Sequence, residues 1–598
     1  SVSPGNGWDA SNKLLLLLAV AWTISLLPWS LRTAQIAVGA WALGVTAVCA
    51  ISIIGAAGAD DLGEYIIKGR YLAPIGYANA LSALPAMAFL PALWLCARRE
   101  VPAPLRVLFL TMAVFLAQFA ALPQSRGAML GLLVSIVVFL AIVPSRLRFL
   151  APLVVVAGGL AVSISPIYEA YSVGIRISDA ADSGIVLPGL SLAAAVDDAA
   201  LAMGLTAAAT ALLGCLIVAA DAGIRPSASD AKRARQTVAI VLAAATLLGL
   251  VSGAANAGRI ADGLSDQWHT FKSSKETPAT TGARLTARYS DQRYDYWRVA
   301  LRSFGDAPII GEGAGSFEHR YAAERRFEKP SKYTHDIWMR TLAEGGVVAL
   351  LLLLVVLGAG ATGLREARRG SATGERGLIA VCVAVPVYFF VHASLDWLEE
   401  FPALVSPALT LPFLALAATD SRSRKAGRSC MGAPAAVLAG LVGLAAVGSL
   451  ALPYAAQRQY ERGVASGVGD LRRTYGALDN AASLNPLRPD PHLRAGLVAV
   501  AAGDPGRARS EFRRSLHVED NWYAHLELAL LDSQAGRFRS ARAEIARAQT
   551  LNAEDRFLAE AAARIRGRRR IDPAQFNREL PPFGDQCPAS GNPRVLAC

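Results

Sequence analysis

The stretch GAMLGLLVSIVVFLAIVPSRLRFLAPLVVVAGGLAVSIS, residues 127–165, decides the fold class of this chain. It contains two apolar runs, 127–143 and 149–165, separated by a short break that carries Arg146 and Arg148. A helix that crosses a bilayer needs about 20 predominantly apolar residues. The stretch therefore predicts two membrane-spanning helices joined by a short basic loop.

The composition of the whole chain also indicates a membrane protein. Of its 598 residues, 53% are hydrophobic and only 18% are charged, whereas a soluble domain is usually about 25% charged. A soluble chain of this length would divide into several cores, each with its own charged surface. The composition excludes a soluble globular enzyme, a coiled coil and a disordered chain. Because the chain starts at Ser1 and not at Met, we expect a processed or excerpted sequence.

Ten further apolar runs raise the number of predicted spans to about twelve. The predicted fold class is all-α: a polytopic helical membrane domain over 1–453 with one large loop at about 257–340, followed by a helical tail. The further runs are 13–30, 34–56, 75–97, 105–122, 198–220, 237–256, 341–360, 377–394, 402–418 and 432–453.

The distribution of Lys and Arg predicts which loops face the cytoplasm. Alternate short loops carry 18 basic residues in one set and 4 in the other, and basic residues concentrate on cytoplasmic loops. The net charge of +12 is therefore interpreted as membrane topology and not as nucleic-acid binding. We expect a multi-pass membrane protein with the long loop and the tail extracytoplasmic.

The tail contains a degenerate internal repeat. AGDPGRARSEFRRSLHVED (502–520) recurs in outline as AGRFRSARAEIARAQTLNAED (535–555). Paired short helices with a period near 34 residues resemble tetratricopeptide repeats. We predict such repeats over 454–570, with a surface that binds a protein partner or an acceptor, and an irregular segment over 571–598. A small helical domain with a purely structural role is the alternative.

Polar residues that interrupt or flank the apolar runs on the outer side are the candidate site. Charged residues at such places are costly and often functional. A single arginine there also fits a side chain that snorkels to the interface, and His392 also fits a packing residue bonded to Asp396 one helical turn on. The candidates are Arg70 with Asn79, Arg126, Arg293, His335 and Asp396.

Two other features have simpler interpretations. The glycines of PIIGEGAGSF (308–317) are interpreted as a turn, because no dinucleotide-binding strand precedes them. His269 and His319 are interpreted as solvated loop residues. The sequence has no HExxH, no CxxC pair and no P-loop, so we expect neither a metal nor a cofactor. Several outer arginines suit a diphosphate, because guanidinium binds phosphate oxygens in bidentate fashion.

Five segments together resemble the bacterial O-antigen ligase and O-antigen polymerase family. The resemblance covers about 60–420. Its segments are Arg70 with Asn79, SRGAMLGLL (125–133), RYDYWRVALRSFGDAPIIGEGAGSFE (293–318), HDIWMRTLAEGGVVALLLLL (335–354) and HASLDWLEEFPAL (392–404).

The resemblance implies a membrane glycosyltransferase of the GT-C type. Such an enzyme takes a glycan from a polyprenyl-diphosphate carrier on the outer face and joins it to a glycan, lipid or protein acceptor. Arg126 and Arg293, with Arg70, would then hold the donor diphosphate without a metal. His335 would act as the catalytic base, and Asp396 would be a second base or would orient another group.

Two other functional classes remain open from the sequence. The first is a transporter or flippase of lipid-linked sugars, which would carry charged or broken helices near the bilayer midplane and repeats between its halves. The second is an envelope scaffold that acts through its repeat tail. The charged residues lie mainly at outer helix ends, which favours the enzyme. Ligation and polymerisation both fit the pattern.

Overall fold

The structure is a computed structural model that describes residues 3–223, 233, 236–237, 256–273, 292–419 and 433–579. In this part of the chain, nine helices are long and apolar enough to cross a membrane, and each coincides with a predicted run. The run 127–143 forms a shorter apolar helix. The predicted run 237–256 lies outside the described residues apart from its two end residues, Thr237 and Asn256. The basic loop 420–432 and the end of the predicted irregular segment also lie outside them. The all-α polytopic fold class is confirmed.

The chain divides into two compact units. The bundle unit comprises Val20–Tyr294 and Leu357–Lys425, and the tail unit comprises Ser1–Ala19, Asp295–Val356 and Ala426–Cys598. The helices up to the long loop are α1 (Pro4–Leu26), α2 (Leu31–Ala57), α3 (Ala78–Cys96), α4 (Ala103–Ala121), α5 (Arg126–Ile142), α6 (Leu150–Asp182) and α7 (Leu192–Gly223), with a hairpin of β1 (Ile66–Ile67) and β2 (Arg70–Tyr71) after α2.

The loop itself contains helices. They are α8 (Ala257–Ser273), α9 (Arg293–Asp306) and α10 (Phe317–Glu324). Three long helices follow: α11 (Ile337–Gly370), α12 (Thr373–Ala393) and α13 (Pro402–Thr419). The remaining helices are α14 (Ala433–Ser466), α15 (Leu471–Leu484), α16 (Asp490–Ala501), α17 (Pro505–Val518), α18 (Trp522–Gln534), α19 (Phe538–Leu551), α20 (Arg556–Arg566) and α21 (Pro573–Glu579).

Helix α3 lies at the centre of the bundle unit. Its residues are apolar on all sides and nearly all of them are buried, as expected for a helix that contacts other helices all round. It packs against α2, α4, α5 and α12. With 19 residues at about 1.5 Å each, it separates the two ends of the bundle by nearly 30 Å.

The basic short loops share one end of this bundle. Asp221, near the end of α7, accepts hydrogen bonds from Arg99 and from Arg106 (Nη2 to Oδ2, 2.9 Å), on either side of the α3–α4 turn. Arg368 Nη2 donates to the Ile142 carbonyl at 2.5 Å. Among the described residues, the α3–α4 turn and the ends of α5, α7 and α11 therefore lie at one end of the bundle, while Arg70, Asn79 and the start of α5 lie at the other.

Helix α6 is longer than the predicted run 149–165. Its 33 residues correspond to about 50 Å, whereas the hydrocarbon core is about 30 Å thick. The extra turns hold the hairpin: a side chain at Gly69 (φ +70°) would lie 2.7 Å from the Tyr171 carbonyl and 2.6 Å from the Ile175 nitrogen. Only glycine fits this turn.

In the tail unit, the helices from α14 to α20 pack in sequence, each against the next. Helices α15, α17 and α19 begin about 33 residues apart. Asp470 and Asp504 cap the first two of these helices through their side chains, and buried residues such as Phe512 and Leu530 fill the core. The helical repeat is thus present, while the tetratricopeptide likeness stays a prediction. Helix α14 continues unbroken through residue 453, and Pro573–Glu579 is helical.

The glycine-rich segment of the long loop docks into a kink in α11. Gly346 has φ +63° and ψ −164°, so the helical hydrogen bonds are interrupted there. The segment replaces them: Val347 N–H bonds the Pro308 carbonyl (2.9 Å), and Gly313 N–H bonds the Glu344 carbonyl (2.9 Å). Gly311, Gly313 and Gly315 all have positive φ. Because the Gly313 amide bonds α11, it is not available to a phosphate, and the segment is the turn predicted from the sequence.

Candidate functional site

A buried carboxylate, Asp396, forms the centre of a polar cluster at the end of the bundle unit opposite the basic loops. Its side chain is 1% exposed. Tyr77 donates its hydroxyl to Oδ1 at 2.8 Å, and Asn79 donates its side-chain amide to Oδ2. The Trp397 N–H also bonds Oδ1, at 2.9 Å. Three donors stabilise the charged form of this carboxylate.

Two of the predicted arginines join this cluster. Arg293, whose side chain is 12% exposed, forms an ion pair with Asp396 (Nη2 to Oδ2, 3.8 Å). Arg70 donates from Nη2 to Asn79 Oδ1 (2.6 Å) and to the Pro123 carbonyl (3.1 Å). The network thus connects two guanidinium groups with one buried carboxylate: Arg293 pairs with Asp396 directly, and Arg70 reaches it through Asn79.

Arg126 opens helix α5, three residues after Pro123. The preceding Ser125 caps this helix, with its hydroxyl accepting from the Ala128 N–H at 3.3 Å. The N-terminus of a helix favours negative charge. The bundle unit thus brings Arg70, Arg293 and Asp396 into one network, with Arg126 beginning the helix after the turn that Arg70 holds.

Asp396 does not lie one helical turn beyond His392, as the sequence suggested. Helix α12 ends at Ala393, and the chain turns there because Leu395 N–H bonds the His392 carbonyl at 2.9 Å. The buried His392 ring instead lies between Tyr388 (OH to Nδ1, 3.2 Å) and Ser125 (Oγ to Nε2, 3.4 Å). It packs directly against Gly127, where a side chain would approach its Cδ2 to 2.7 Å. His392 therefore joins α12 to the start of α5.

An aromatic group that sequence reasoning missed holds Asp396 in place. Tyr77 packs on Trp397 (ring centroids 4.5 Å apart) and stacks on Phe401 (5.8 Å). Burial, and then the charge of Asp396, raise the pKa of the Tyr77 hydroxyl well above its ordinary value, so it acts as a hydrogen-bond donor. The available signal was the position of Tyr77 two residues before Asn79, at the start of α3.

His335 lies in the tail unit and belongs to a separate cluster. It is half-buried, and its ring stacks on Tyr296 with centroids 5.0 Å apart. Tyr296 in turn meets Tyr321 of α10 edge to face, also at 5.0 Å. Tyr296, Phe317, Tyr321 and Ala343 form a buried core under the histidine. Tyr296 lies one turn after Arg293 on α9.

The environment of His335 determines which ring nitrogen carries the proton. Its Nδ1 lies 3.1 Å from the Tyr333 carbonyl. A carbonyl only accepts hydrogen bonds, so Nδ1 is the protonated nitrogen of the neutral ring and Nε2 carries the lone pair. His335 also has φ +55°, a backbone conformation that is uncommon outside glycine and often marks functional positions. The next residue, Asp336, caps α11 by accepting from Trp338 N–H (2.8 Å) and Met339 N–H (2.9 Å).

The structure corrects one of the two simple histidine assignments. His269 is exposed, as predicted, although it lies on α8. His319 is not a solvated loop residue: it lies on α10 and pairs with the buried Glu519 (Nε2 to Oε1, 2.9 Å). Glu519 is 200 residues away along the chain, so no local sequence pattern could predict this contact. Within the described part of the chain, no group of three or more His, Cys, Asp or Glu side chains is arranged to hold a metal ion.

Comparison with known proteins shows similarity to one protein family. Among curated proteins, no sequence matches the chain significantly. The family model described as O-antigen ligase matches residues 190–354, a narrower range than the predicted 60–420. This range includes Arg293 and His335, and the structure connects Arg70 and Asp396 to Arg293 from outside it. The chain is a multi-pass membrane protein whose central segment is similar to O-antigen ligase, and this similarity supports a glycosyl-transfer function in cell-surface polysaccharide assembly.

Proposed function

We propose that this protein transfers a glycan from a polyprenyl-diphosphate-linked donor to an acceptor on the outer face of the cytoplasmic membrane. The observation that carries the proposal is the Arg70–Asn79–Asp396–Arg293 network. Guanidinium groups at a helix end, beside the start of α5, suit the diphosphate of a lipid carrier whose tail remains in the bilayer.

Arg126 and Arg293 are the residues that we assign to the diphosphate. When the glycosidic bond breaks, negative charge develops on the leaving diphosphate oxygen, and fixed positive charges stabilise it. Arg70 has a different part in this proposal. It uses Nε and Nη2 on the Pro123 carbonyl and Nη2 on Asn79, and so holds the turn that precedes Arg126.

His335 is the residue that we assign as the general base. In the proposed step, the acceptor hydroxyl oxygen bonds to the anomeric carbon of the donor sugar. The bond from that carbon to the phosphate oxygen breaks, and its electron pair leaves with the diphosphate. Nε2 of His335 takes the hydroxyl proton, in accord with the Nδ1–H bond to Tyr333. The products are the extended or ligated glycan and the polyprenyl diphosphate.

Asp396 fits an orienting role better than the role of a second base. Its two oxygens accept from Tyr77, Asn79 and Trp397, and hydrogen bonds to a carboxylate favour its charged form and weaken it as a base. We therefore propose that Asp396 holds Arg293 and, through Asn79, Arg70 in their working positions.

The test is glycan transfer by purified variants that are verified to insert in membranes. The donor is the lipid-linked glycan that accumulates in host cells lacking the enzyme, and turnover is counted as released polyprenyl diphosphate. His335→Ala and Arg293→Ala are each expected to lower turnover by about 10²-fold or more. Arg302→Ala, further along α9 and exposed, is the matched control and should stay near normal.

The same assay separates the assigned roles. Asp396→Asn should lower turnover without moving the pH at which activity falls, since His335 remains as base. The reaction should continue in EDTA. Near-normal turnover in His335→Ala, or loss of activity in EDTA, would refute the mechanism. A vesicle assay in which the lipid-linked glycan crosses the membrane without transfer would support the flippase alternative.

A further inference from the structure

We propose that the helical repeats of the tail act on catalysis by positioning: they hold α10 and, through it, the His335 ring in the working conformation. The inference rests on the proposed role of His335. All the contacts that support it lie within the tail unit. The repeats would then be part of the catalytic apparatus, in addition to any partner that they bind.

The strongest contact joins the end of α10 to the turn between α19 and α20. Arg325 is 4% exposed, and so is Asn552. Arg325 Nη2 donates to Asn552 Oδ1 at 2.8 Å in a buried position. Beside this pair, the Ala553 N–H bonds the Ala322 carbonyl at 3.2 Å. A buried guanidinium is costly unless its donors are paired, so this contact fixes α10 on the repeats.

A second contact joins α10 to the repeats. His319 pairs with Glu519 (2.9 Å), which follows the end of α17. His319 and Ala322 lie three residues apart on α10, and Arg325 directly follows the helix in an extended conformation. Helix α10 and its C-cap residue therefore bind two different repeats through three separate hydrogen bonds.

Two aromatic residues of α10 hold the histidine. Phe317 and Tyr321 are fully buried; Tyr321 packs on Tyr296, and Tyr296 stacks on His335. Helix α10 has only 8 residues, and isolated helices of this length are unstable in water. Its conformation depends on the surfaces that cover it, and the repeats are one of them.

The experiment uses the full-length protein and changes the charge at the buried contact. Asn552→Lys places a cation against Arg325 and should release α10. Asn552→Asp places a carboxylate there and should keep it docked. Asn485 occupies the equivalent helix end in an earlier repeat, 67 residues before Asn552, so Asn485→Lys is the matched control for general damage to the repeats. Arg325→Ala tests the contact from the other side.

Two measurements are made on each variant. Hydrogen exchange of residues 317–336 reports docking without any substrate, and kcat and KM with the lipid-linked glycan report catalysis. Asn552→Lys and Arg325→Ala should exchange faster in this segment and lose about 10²-fold in kcat at similar donor KM, because small displacements of a reacting group cost this much. Asn552→Asp and Asn485→Lys should remain near native in both.

The outcomes distinguish this proposal from the proposed function. Unchanged exchange in Asn552→Lys, or faster exchange with unchanged kcat, overturns the positioning role while His335→Ala still tests the base. Equal loss of kcat in Asn485→Lys also overturns it, since the effect would then be unspecific. Near-normal turnover of His335→Ala would overturn both ideas.

Discussion

At the scale of single residues, geometry distinguishes the three arginines that looked alike in the sequence. Arg293 pairs with a carboxylate, and Arg126 stands at a helix N-terminus. Arg70 bonds a backbone carbonyl and an amide oxygen with its forked head group. A guanidinium binds several acceptors in fixed directions, whereas an ammonium is a compact point charge. The contacts of Arg70 therefore require the planar, forked shape of the guanidinium group as well as its charge.

The substitution Arg70→Lys tests this difference. It keeps the charge but loses the fork, so we expect turnover to fall by about 10-fold or more, nearly as far as in Arg70→Ala. Lys68→Arg, in the turn of the same hairpin and exposed, should have no effect. Near-native turnover of Arg70→Lys would indicate that only its charge matters.

At the scale of secondary-structure elements, the kink in α11 is specified by one glycine. A side chain at Gly346 would lie 2.4 Å from the Ile309 carbonyl oxygen, and the backbone there is left-handed. Both effects oppose any other residue at this place. On the same helix, a side chain at Gly358 would meet nothing within 4 Å.

Gly346 and Gly358 offer a test substitution and its control on the same helix. We expect Gly346→Ala to lower stability by about 1–3 kcal/mol or more and to impair activity, because the docked loop must shift. Gly358→Ala should be neutral or should stabilise by up to about 1 kcal/mol, the helix-propensity difference. Thermal unfolding of the purified proteins in detergent measures both. Equal effects of the two substitutions would contradict the kink.

A second expectation at this scale concerns pH. Burial lowers the pKa of His319, but the hydrogen bond and charge of Glu519 outweigh it and raise the net pKa. For Glu519, burial raises the pKa of the carboxyl. The hydrogen bond and the charge of His319 lower it more, so the net pKa is lowered. The raised histidine pKa stabilises docking below about pH 6.5, and this contribution is lost as pH rises through the folded-state pKa. The lowered glutamate pKa stabilises docking above about pH 4.3, and this is lost at lower pH.

The pair should therefore contribute most between these two values. The Tm difference between the native protein and His319→Gln is expected to be large at pH 6 and to shrink toward pH 8. The exposed His269→Gln serves as control and should give no such trend. A difference that grows toward pH 8 would contradict the ion pair.

Prediction from sequence succeeded for features that repeat along the chain and failed for those that join distant segments. Apolar runs gave the helices because length and hydropathy are local properties. The non-helical Gly346 was hidden, since AEGGVVALL reads as the start of an ordinary apolar helix. The Arg325–Asn552 contact was also hidden, because its partners are separated by 227 residues. Tyr77 was missed because an aromatic residue at a helix start usually indicates packing.

At the scale of the whole molecule, the alternation of basic and poorly basic loops agrees with the contacts inside the bundle unit. Arg106 bonds Asp221, and Arg368 bonds the Ile142 carbonyl, at the end of the bundle where these basic residues lie. The contact from Arg325, directly after α10, to Asn552 at the end of α19 agrees with the prediction that the long loop and the repeats lie on the same side of the membrane. Which side is the cytoplasm follows from the charge rule alone.

Cysteine labelling measures the sidedness directly. Lys68→Cys in the hairpin and Arg148→Cys in the 143–149 loop are both exposed positions. In intact spheroplasts, a membrane-impermeant maleimide should label the cysteine at position 68, and the one at 148 only after permeabilisation. The native cysteines Cys49, Cys96 and Cys382 are buried, whereas Cys215 is exposed. Both variants are therefore made in a background in which the other four cysteines are replaced by Ser: Cys215, Cys430, Cys587 and Cys598. The reverse pattern would invert the topology and refute an extracytoplasmic site.

The contacts of the tail unit have a consequence for the biosynthesis of the protein. Asn12, made early, bonds the Ser449 carbonyl at 2.8 Å, and Asn6 accepts from Arg488 at 2.8 Å. The support for His335 comes from Asn552, which the ribosome adds later still. A nascent chain that has inserted its membrane helices thus lacks the parts that complete the tail unit. Under the proposed positioning role, the transfer reaction would begin only when the repeats are complete, so that an unfinished protein would not consume its donor.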